Sequence, residues 1–396
     1  MTQKANRETY IIILLVFCSL LLSFGILEIV IRYFGVYDEN NNFVFADTPL
    51  KPYQLPINTT QDIIDDYLSS STSRLMYDPD LGWAPRPNSQ SKNELYRYNS
   101  MGIRSMPLEY SITPQPDVLR IALFGDSYTH GDDVTFENSW GYYLENNLKK
   151  NGIQAEVINF GVSGYGMDQA FLRWRKLGQK YSPDIVILGF DAENVNRNVN
   201  LIRVIYKPKT GLPLSKPRFI FADEALQVIN VPAILPENIV NTMQNIETWE
   251  LARHEYFFNS QDNDSIWLKS RLIAFLFSLN SDTDSQLYSL DKEPAQLTIK
   301  IIQQFKQEVE AEGHQFFVAH LPRHSHTATL LSQETLAYTA LLSEIAKTVT
   351  VIYPEDRLIE EAKASSLKAL YKGHYSPKGN EVIADVIAEF FISSHN

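Results

Sequence analysis

Three short apolar runs, each stopping on a polar, glycine-bearing turn, constrain this chain more than any other feature. They are IALFGDSYTHG (121–131), VINFGVSGYG (157–166) and PDIVILGFDAENVNR (183–197). Runs of this length, rich in Val and Ile, read as strands buried on both faces, and such strands belong to parallel sheets covered by helices. The wider pattern predicts strands at 118–124, 155–159, 184–190, 315–320 and 349–353, alternating with helices near 139–150, 167–180, 294–312, 333–347 and 376–392. That alternation implies βαβ units and an α/β fold, a three-layer α/β/α sandwich around a mostly parallel sheet. Ligands bind such sheets at the carboxyl edge, so the residues just past each run are the ones to examine.

Ser127 follows the first run through Gly125 and Asp126, where a strand hands a side chain to that edge; it is the candidate nucleophile. Asp126 and Ser127 are equally good helix N-caps. After the second run, Gly164 and Gly166 let backbone N–H groups approach a ligand closely, or simply serve a turn with positive φ. Asn194, past the third, is a neutral donor suited to an oxyanion, or a loop residue making an Asx turn. His374 lies in YKGHYSPKGN (371–380), ahead of a Ser-Pro helix start and the amphipathic EVIADVIAEFF (381–391), in a loop where an imidazole can face a cleft.

Taken together and in this order, the four segments resemble the four blocks of the SGNH (GDSL-type) hydrolases, over roughly 117–394 apart from a long insertion. DLGWAPRPN (80–88) and YNSMGIR (98–104) are similar to the lead-in of membrane-anchored bacterial members. The resemblance implies a flavodoxin-like sandwich, with Ser127 as nucleophile and His374 as its base. It also implies an oxyanion hole made by the Ser127 and Gly164 backbone N–H groups and the Asn194 side chain. One position departs from the pattern. Relatives carry an Asp two or three residues before the histidine, and this chain has Lys372 and Tyr371 there. A carboxylate normally orients the imidazole and stabilises its cation. The simplest replacement is a Ser–His dyad with Nδ1–H on a backbone carbonyl. The alternative is a carboxylate from another loop, with Glu355 or Asp356, after the run TVTVIY (348–353), as nearest candidates; both also suit the acidic first turn of a helix. Asp126 and Tyr371 are further supporting candidates.

Composition excludes other classes. A chain of 396 residues that is 44% apolar has material for one large core, and its net charge of −12 without a basic, aromatic-interleaved cluster argues against nucleic acid as a partner. Thr9 to Leu27 is free of charge for 19 positions, a helix of about 28 Å and close to the apolar thickness of a bilayer. Lys4 and Arg7 precede it and Asp38 and Glu39 follow, which orients the amino terminus to the cytoplasm and the rest outside, in the periplasm if the source is bacterial. A cleaved signal peptide is the alternative, but EIVIRYFGV (28–36) prolongs the helix. Cys18, the sole cysteine, lies within this segment and rules out an intramolecular disulfide.

The expected organisation is an anchor at 9–36, a linker and strand-poor lead-in at 37–116, and a hydrolase-like domain at 117–396 with an insertion at about 198–292. Within the insertion, KPRFIFAD (216–223) and LQVINVP (226–232) read as a hairpin. WLKSRLIAFLFSL (267–279) reads as a lid helix on the core or a helix resting on the membrane through Trp267, Lys269 and Arg271, bordering the site in either case. His130, Asp132 and Asp133 are metal-ligating types, but they share the Ser127 turn; no metal and no cofactor is expected. The function expected is a membrane-anchored serine esterase acting on an acyl ester of an envelope glycan or lipid. An O-acyltransferase with the same residues, or a catalytically weakened glycan-binding module, are the alternatives, and no protein partner is legible.

Overall fold

The computed structural model describes residues 2–70, 73–106, 108–223, 225–259, 262, 265–279 and 283–395; the side chains of 2–9, including Lys4 and Arg7, lie outside the described set. At the centre is a sheet of β1 (Leu119–Phe124), β2 (Ala155–Asn159), β3 (Ile185–Phe190), β4 (Gln315–His320) and β5 (Val351–Ile352). Every pairing is parallel and the order is β5-β4-β3-β1-β2. The helices that matter below are α1 (Thr2–Phe34), α2 (Trp140–Lys150), α3 (Met167–Lys176), α4 (Arg271–Leu279), α5 (Glu293–Ala311), α6 (Thr339–Ile345), α7 (Glu355–Ala364) and α8 (Pro377–His395).

The two-residue period of a strand sorts the apolar runs into two cores. Ile121, Leu123, Ile185 and Ile187 pack on α2, α7 and α8, whereas Ala122, Phe124, Val186 and Leu188 pack on α3, α5 and α6. This is a three-layer α/β/α sandwich. Its chain order reverses between β1 and β3, which opens a crevice at their carboxyl ends. The expected helix at 333–347 is shorter: Gln333 has φ of 61°, so α6 starts only at Thr339, and a separate helix spans His324–Leu331.

The stretch expected as linker and lead-in holds more structure than its composition suggests. It carries the paired strands Val36–Tyr37, Phe43–Phe45 and Thr48–Pro49, a helix Ile57–Ser69, and the hairpin Leu75–Asp78 with Gly82–Pro85. Strands of two to four residues are too short for a period to show in the sequence. Ile64, Leu75 and Trp83 share a buried cluster with Val162, Tyr165 and Leu201 of the main domain. Trp83 Nε1 donates to Ser163 O at 3.1 Å, and Tyr165 Oη donates to Trp83 O at 2.6 Å, so the lead-in brackets the Gly164 turn. Arg104, buried, does the same for the Ser127 turn: its guanidinium donates to the carbonyls of His130, Gly131 (2.5 Å) and Val134 (2.7 Å).

In the insertion, Arg218–Ala222 and Ala225–Ile229 form the expected hairpin. The 267–279 segment departs from expectation. It is neither a lid nor part of the crevice wall; α4 packs on α1 and the 43–50 strands, burying Ile31, Phe43, Leu50 and Leu272 together. The physical reason is a cap. Glu28 of α1 accepts from the N–H groups of Arg271 (3.0 Å) and Leu272 (2.7 Å) and from Ser270 Oγ (2.8 Å), satisfying the open donors at the α4 start. Among the described residues Tyr10–Phe34 is the helix long and apolar enough to cross a membrane, with a mean hydropathy of 2.8.

Arg104→Met leaves three carbonyls without their donor, and should cost about 2–4 kcal/mol of stability. Thermal denaturation of the detergent-solubilised chain measures this; an unchanged midpoint would show that the loop holds itself.

Candidate active site

Ser127 opens a single helical turn, Ser127–His130, directly past β1. Asp126 caps it, accepting from Tyr128 N–H at 2.9 Å. Gly125 has φ of 150°, and a Cβ there would stand 2.3 Å from Thr129 Oγ1, so the tight strand-to-turn passage needs glycine. Of the sequence candidates, the structure brings Ser127 and His374 together: His374 Nε2 lies 2.8 Å from Ser127 Oγ. The imidazole packs on the ring of Tyr128, centroids 4.8 Å apart, and Tyr128 in turn on Tyr375 at 5.0 Å.

The acid is where sequence reasoning missed. His374 Nδ1 lies 2.8 Å from Asp133 Oδ2, and the His374 backbone N–H donates to the same oxygen at 3.2 Å. Glu355 and Asp356 are not brought to His374. Glu355 pairs instead with the buried His320, whose Nε2 faces Tyr338 Oη at 3.1 Å, and Asp356 sits in the first turn of α7. Tyr371 is also turned away, donating to Pro322 O at 2.9 Å and contacting Thr327 Oγ1 at 2.6 Å in the core. The dyad resting on a backbone carbonyl is likewise not what forms. A signal existed: Gly373, with φ of 82°, precedes the histidine, and a Cβ there would stand 2.6 Å from Asp133 Oδ2. Asp133 itself has φ of 69°, and its N–H donates to Tyr96 Oη at 2.9 Å.

Asn194 also differs from expectation. Its Oδ1 accepts from Asp191 N–H at 3.0 Å, while Nδ2 donates to Asp126 Oδ2 at 3.2 Å and Tyr165 O at 3.1 Å. Both amide protons are committed beneath the site, because the residue lies in the turn Glu193–Asn198 past β3 and folds back under the Ser127 and Gly164 loops. The Ser127 N–H, first of its turn, and the Gly164 N–H have no acceptor among the described residues.

Several of the charges around this centre are paired. Arg197 donates to Asp126 Oδ2 at 2.7 Å and Tyr165 O at 2.9 Å. Burial pushes the Asp126 carboxyl up, against Arg197. Arg323 donates to Asp191 at 2.7 Å and Glu193 at 2.7 Å; burial raises the Asp191 carboxyl, but Arg323 outweighs it and the net direction is down. Asp132, weighed as a metal ligand, lies 2.5 Å from His130 Nδ1 and accepts from Ser163 Oγ at 2.8 Å. Burial, then Arg104, drives the His130 pKa down to about 3, so its ring is neutral and Nδ1–H donates to Asp132. Burial opposes ionisation of Asp132, yet His130 and Arg74 hold its carboxyl below the ordinary range.

The crevice over Ser127 has a volume of about 570 Å³ and is open to solvent along the His374–Asp133 side. A nucleophile bonded to an imidazole, an acid on the far nitrogen and two free N–H groups are the parts that acyl transfer requires.

No curated protein matches the chain. Solved structures similar to it include a member of the lipolytic protein G-D-S-L family from Veillonella parvula DSM 2008, with 10% identity over 69% of this chain and 97% of that one, TM-score 0.37. Others are the acetyl xylan esterase AlAXEase, 13% identical over 68% and 98%, TM-score 0.37, and an acetylxylan esterase from Geobacillus stearothermophilus, 12% identical over 68% and 92%, TM-score 0.37. Residues 123–208, from the end of β1 through the Ser127 and Gly164 turns to the segment past β3, match the GDSL-like Lipase/Acylhydrolase family. Over that segment the chain is similar to this family of acylhydrolases.

Proposed function

We propose that the protein is a membrane-anchored, extracytoplasmic serine esterase that removes acyl groups from a glycan or lipid of the cell envelope through an acyl-serine intermediate. The observation that carries this reading is the continuous Ser127–His374–Asp133 relay, two contacts of 2.8 Å each. His374 Nε2 takes the Ser127 Oγ proton as Oγ adds to the ester carbonyl. The Ser127 and Gly164 N–H groups receive the oxyanion. The imidazolium, held by Asp133, then protonates the departing alkoxide. Water follows the same route: it adds to the acyl carbonyl as His374 takes its proton, and His374 returns that proton to Ser127 Oγ as the acyl-serine bond breaks and the carboxylic acid leaves. With the His374 and Asp133 side chains 28% and 43% exposed, water has access to the intermediate.

The detergent-solubilised full chain is the form to assay, since a start near Asp38 would strip Glu28 and Ile31 from their contacts with α4. Ser127→Ala should abolish p-nitrophenyl acetate hydrolysis without changing the melting temperature; equal activity would remove Ser127 from the mechanism. Asp133→Asn should lower kcat by roughly 10²–10³-fold, because Nδ1–H loses its anionic acceptor. If Glu355→Gln costs as much while Asp133→Asn costs little, the relay runs elsewhere.

The anchor makes a separate expectation. The protein should stay with membranes after alkaline carbonate washing, and a carboxyl-terminal reporter should be exported. Recovery of a mature form shortened by about 30 residues would identify the segment as a cleaved signal.

A further inference from the structure

A chain of net charge −12 surrounds its crevice with cations. Arg74, Arg197, Arg203, Lys207, Lys209 and Arg323 all line it. Three of them are matched by carboxylates: Arg197 by Asp126, Arg323 by Asp191 and Glu193, and Arg74 by Asp132 at 3.7 Å. Lys209 faces the exposed Glu39 alone, at 3.2 Å. Arg203 and Lys207 have no carboxylate partner among the described residues.

Arg203 is the telling one. It is 7% exposed, its Nε donates to Thr210 Oγ1 at 2.9 Å and its Nη1 to Gly164 O at 3.1 Å, and its Nη2 has no partner among the described residues. Burial, and then Arg197, pull its pKa down to about 9, and the more distant carboxylates of Glu193 and Asp126 do not offset them. Keeping such a charge near a crevice is costly unless a ligand completes it. The guanidinium carbon would lie 3.3 Å from a Cβ at Gly164, whose N–H is a donor to the oxyanion, so the open position adjoins the reacting carbonyl. A planar fork with a free N–H suits a carboxylate or phosphate, and Lys207 adds a second charge beside it.

We infer that this crevice recognises an acyl ester whose acyl-bearing unit also carries an anionic oxygen group, a carboxylate or a phosphate, held by Arg203 and Lys207 beside the Gly164 turn. This rests on the esterase reading above. The anion orients the ester over Ser127, and the cations lining the crevice draw it there although the chain as a whole carries a net charge of −12.

The full chain in neutral detergent is given matched substrates: O-acetylated polygalacturonate against O-acetylated neutral xylan, and phosphatidylglycerol micelles against diacylglycerol micelles. At low salt the anionic member of at least one pair should be preferred by about tenfold or more in kcat/KM, and the pair that shows it separates carboxylate from phosphate. Lys207→Glu should cut that preference by about fivefold or more, with KM moving more than kcat, and high salt should shrink it. Preferences within about twofold for both pairs, or a preference that Lys207→Glu leaves intact, overturn the inference. If the chain cleaves no ester, p-nitrophenyl acetate included, the esterase reading fails. The anion site is then decided by calorimetric titration of the full chain with oligogalacturonate and inorganic phosphate. Binding of either that is lost in Arg203→Gln and Lys207→Glu supports it, and no binding of either overturns it.

Discussion

One short loop carries both the candidate nucleophile and the carboxylate that contacts the candidate base, and a buried guanidinium holds it in shape. Ser127 and Asp133 are six positions apart, yet both face the same imidazole from opposite sides. The turn between them exposes carbonyls at His130, Gly131 and Val134 that no helix or strand can satisfy. Arg104, reaching in from the lead-in, bonds to all three. Without that fork, buried carbonyls would have to find water, and the loop would open.

With Asp133, and no residue of the histidine loop itself, beside His374 Nδ1, the two loops have different duties. The 371–375 segment no longer supplies a carboxylate, so Tyr371 is free to fill the core beside Tyr375, both hydroxyls donating to Pro322 O. Gly373 takes on the opposite duty, an absence of side chain that lets Asp133 close on the ring. The Asp133 carboxylate is then partly exposed, so solvent screens its contact with the imidazole more than in a buried arrangement.

The lead-in and the amino-terminal helix are both tied into the main domain. Trp83 and Arg104 each hold one site loop, so the segment ahead of the sandwich is part of the site's architecture. Glu28 ties α1 to α4, which fixes how the sandwich leaves the end of the apolar helix. Near that junction Trp267, Leu276 and Phe277 stay exposed. An apolar helix and a flanking apolar face form a continuous surface suited to a lipid boundary.

The sheet and its main helices were legible in the chain alone, because they depend on short-range chemistry: two-residue alternation, glycine at a strand-to-turn passage, a Ser-Pro helix start. The pairing of Ser127 with His374, 247 positions apart, was only implied by the resemblance of the four segments to a known family. Asp133 was legible only as a residue type next to the nucleophile, and Asn194 only as an amide at the right edge. Their assignments depended on which loops meet across the fold. Asp133 and His374 are 241 positions apart, and the contact exists because Gly373 leaves room for it. Asn194 turns away because Asp126 and Tyr165 O, two buried acceptors brought in by other loops, claim its protons first. Local sequence specifies which conformations a segment can adopt; burial and hydrogen-bond satisfaction among distant segments decide which polar groups remain free to act.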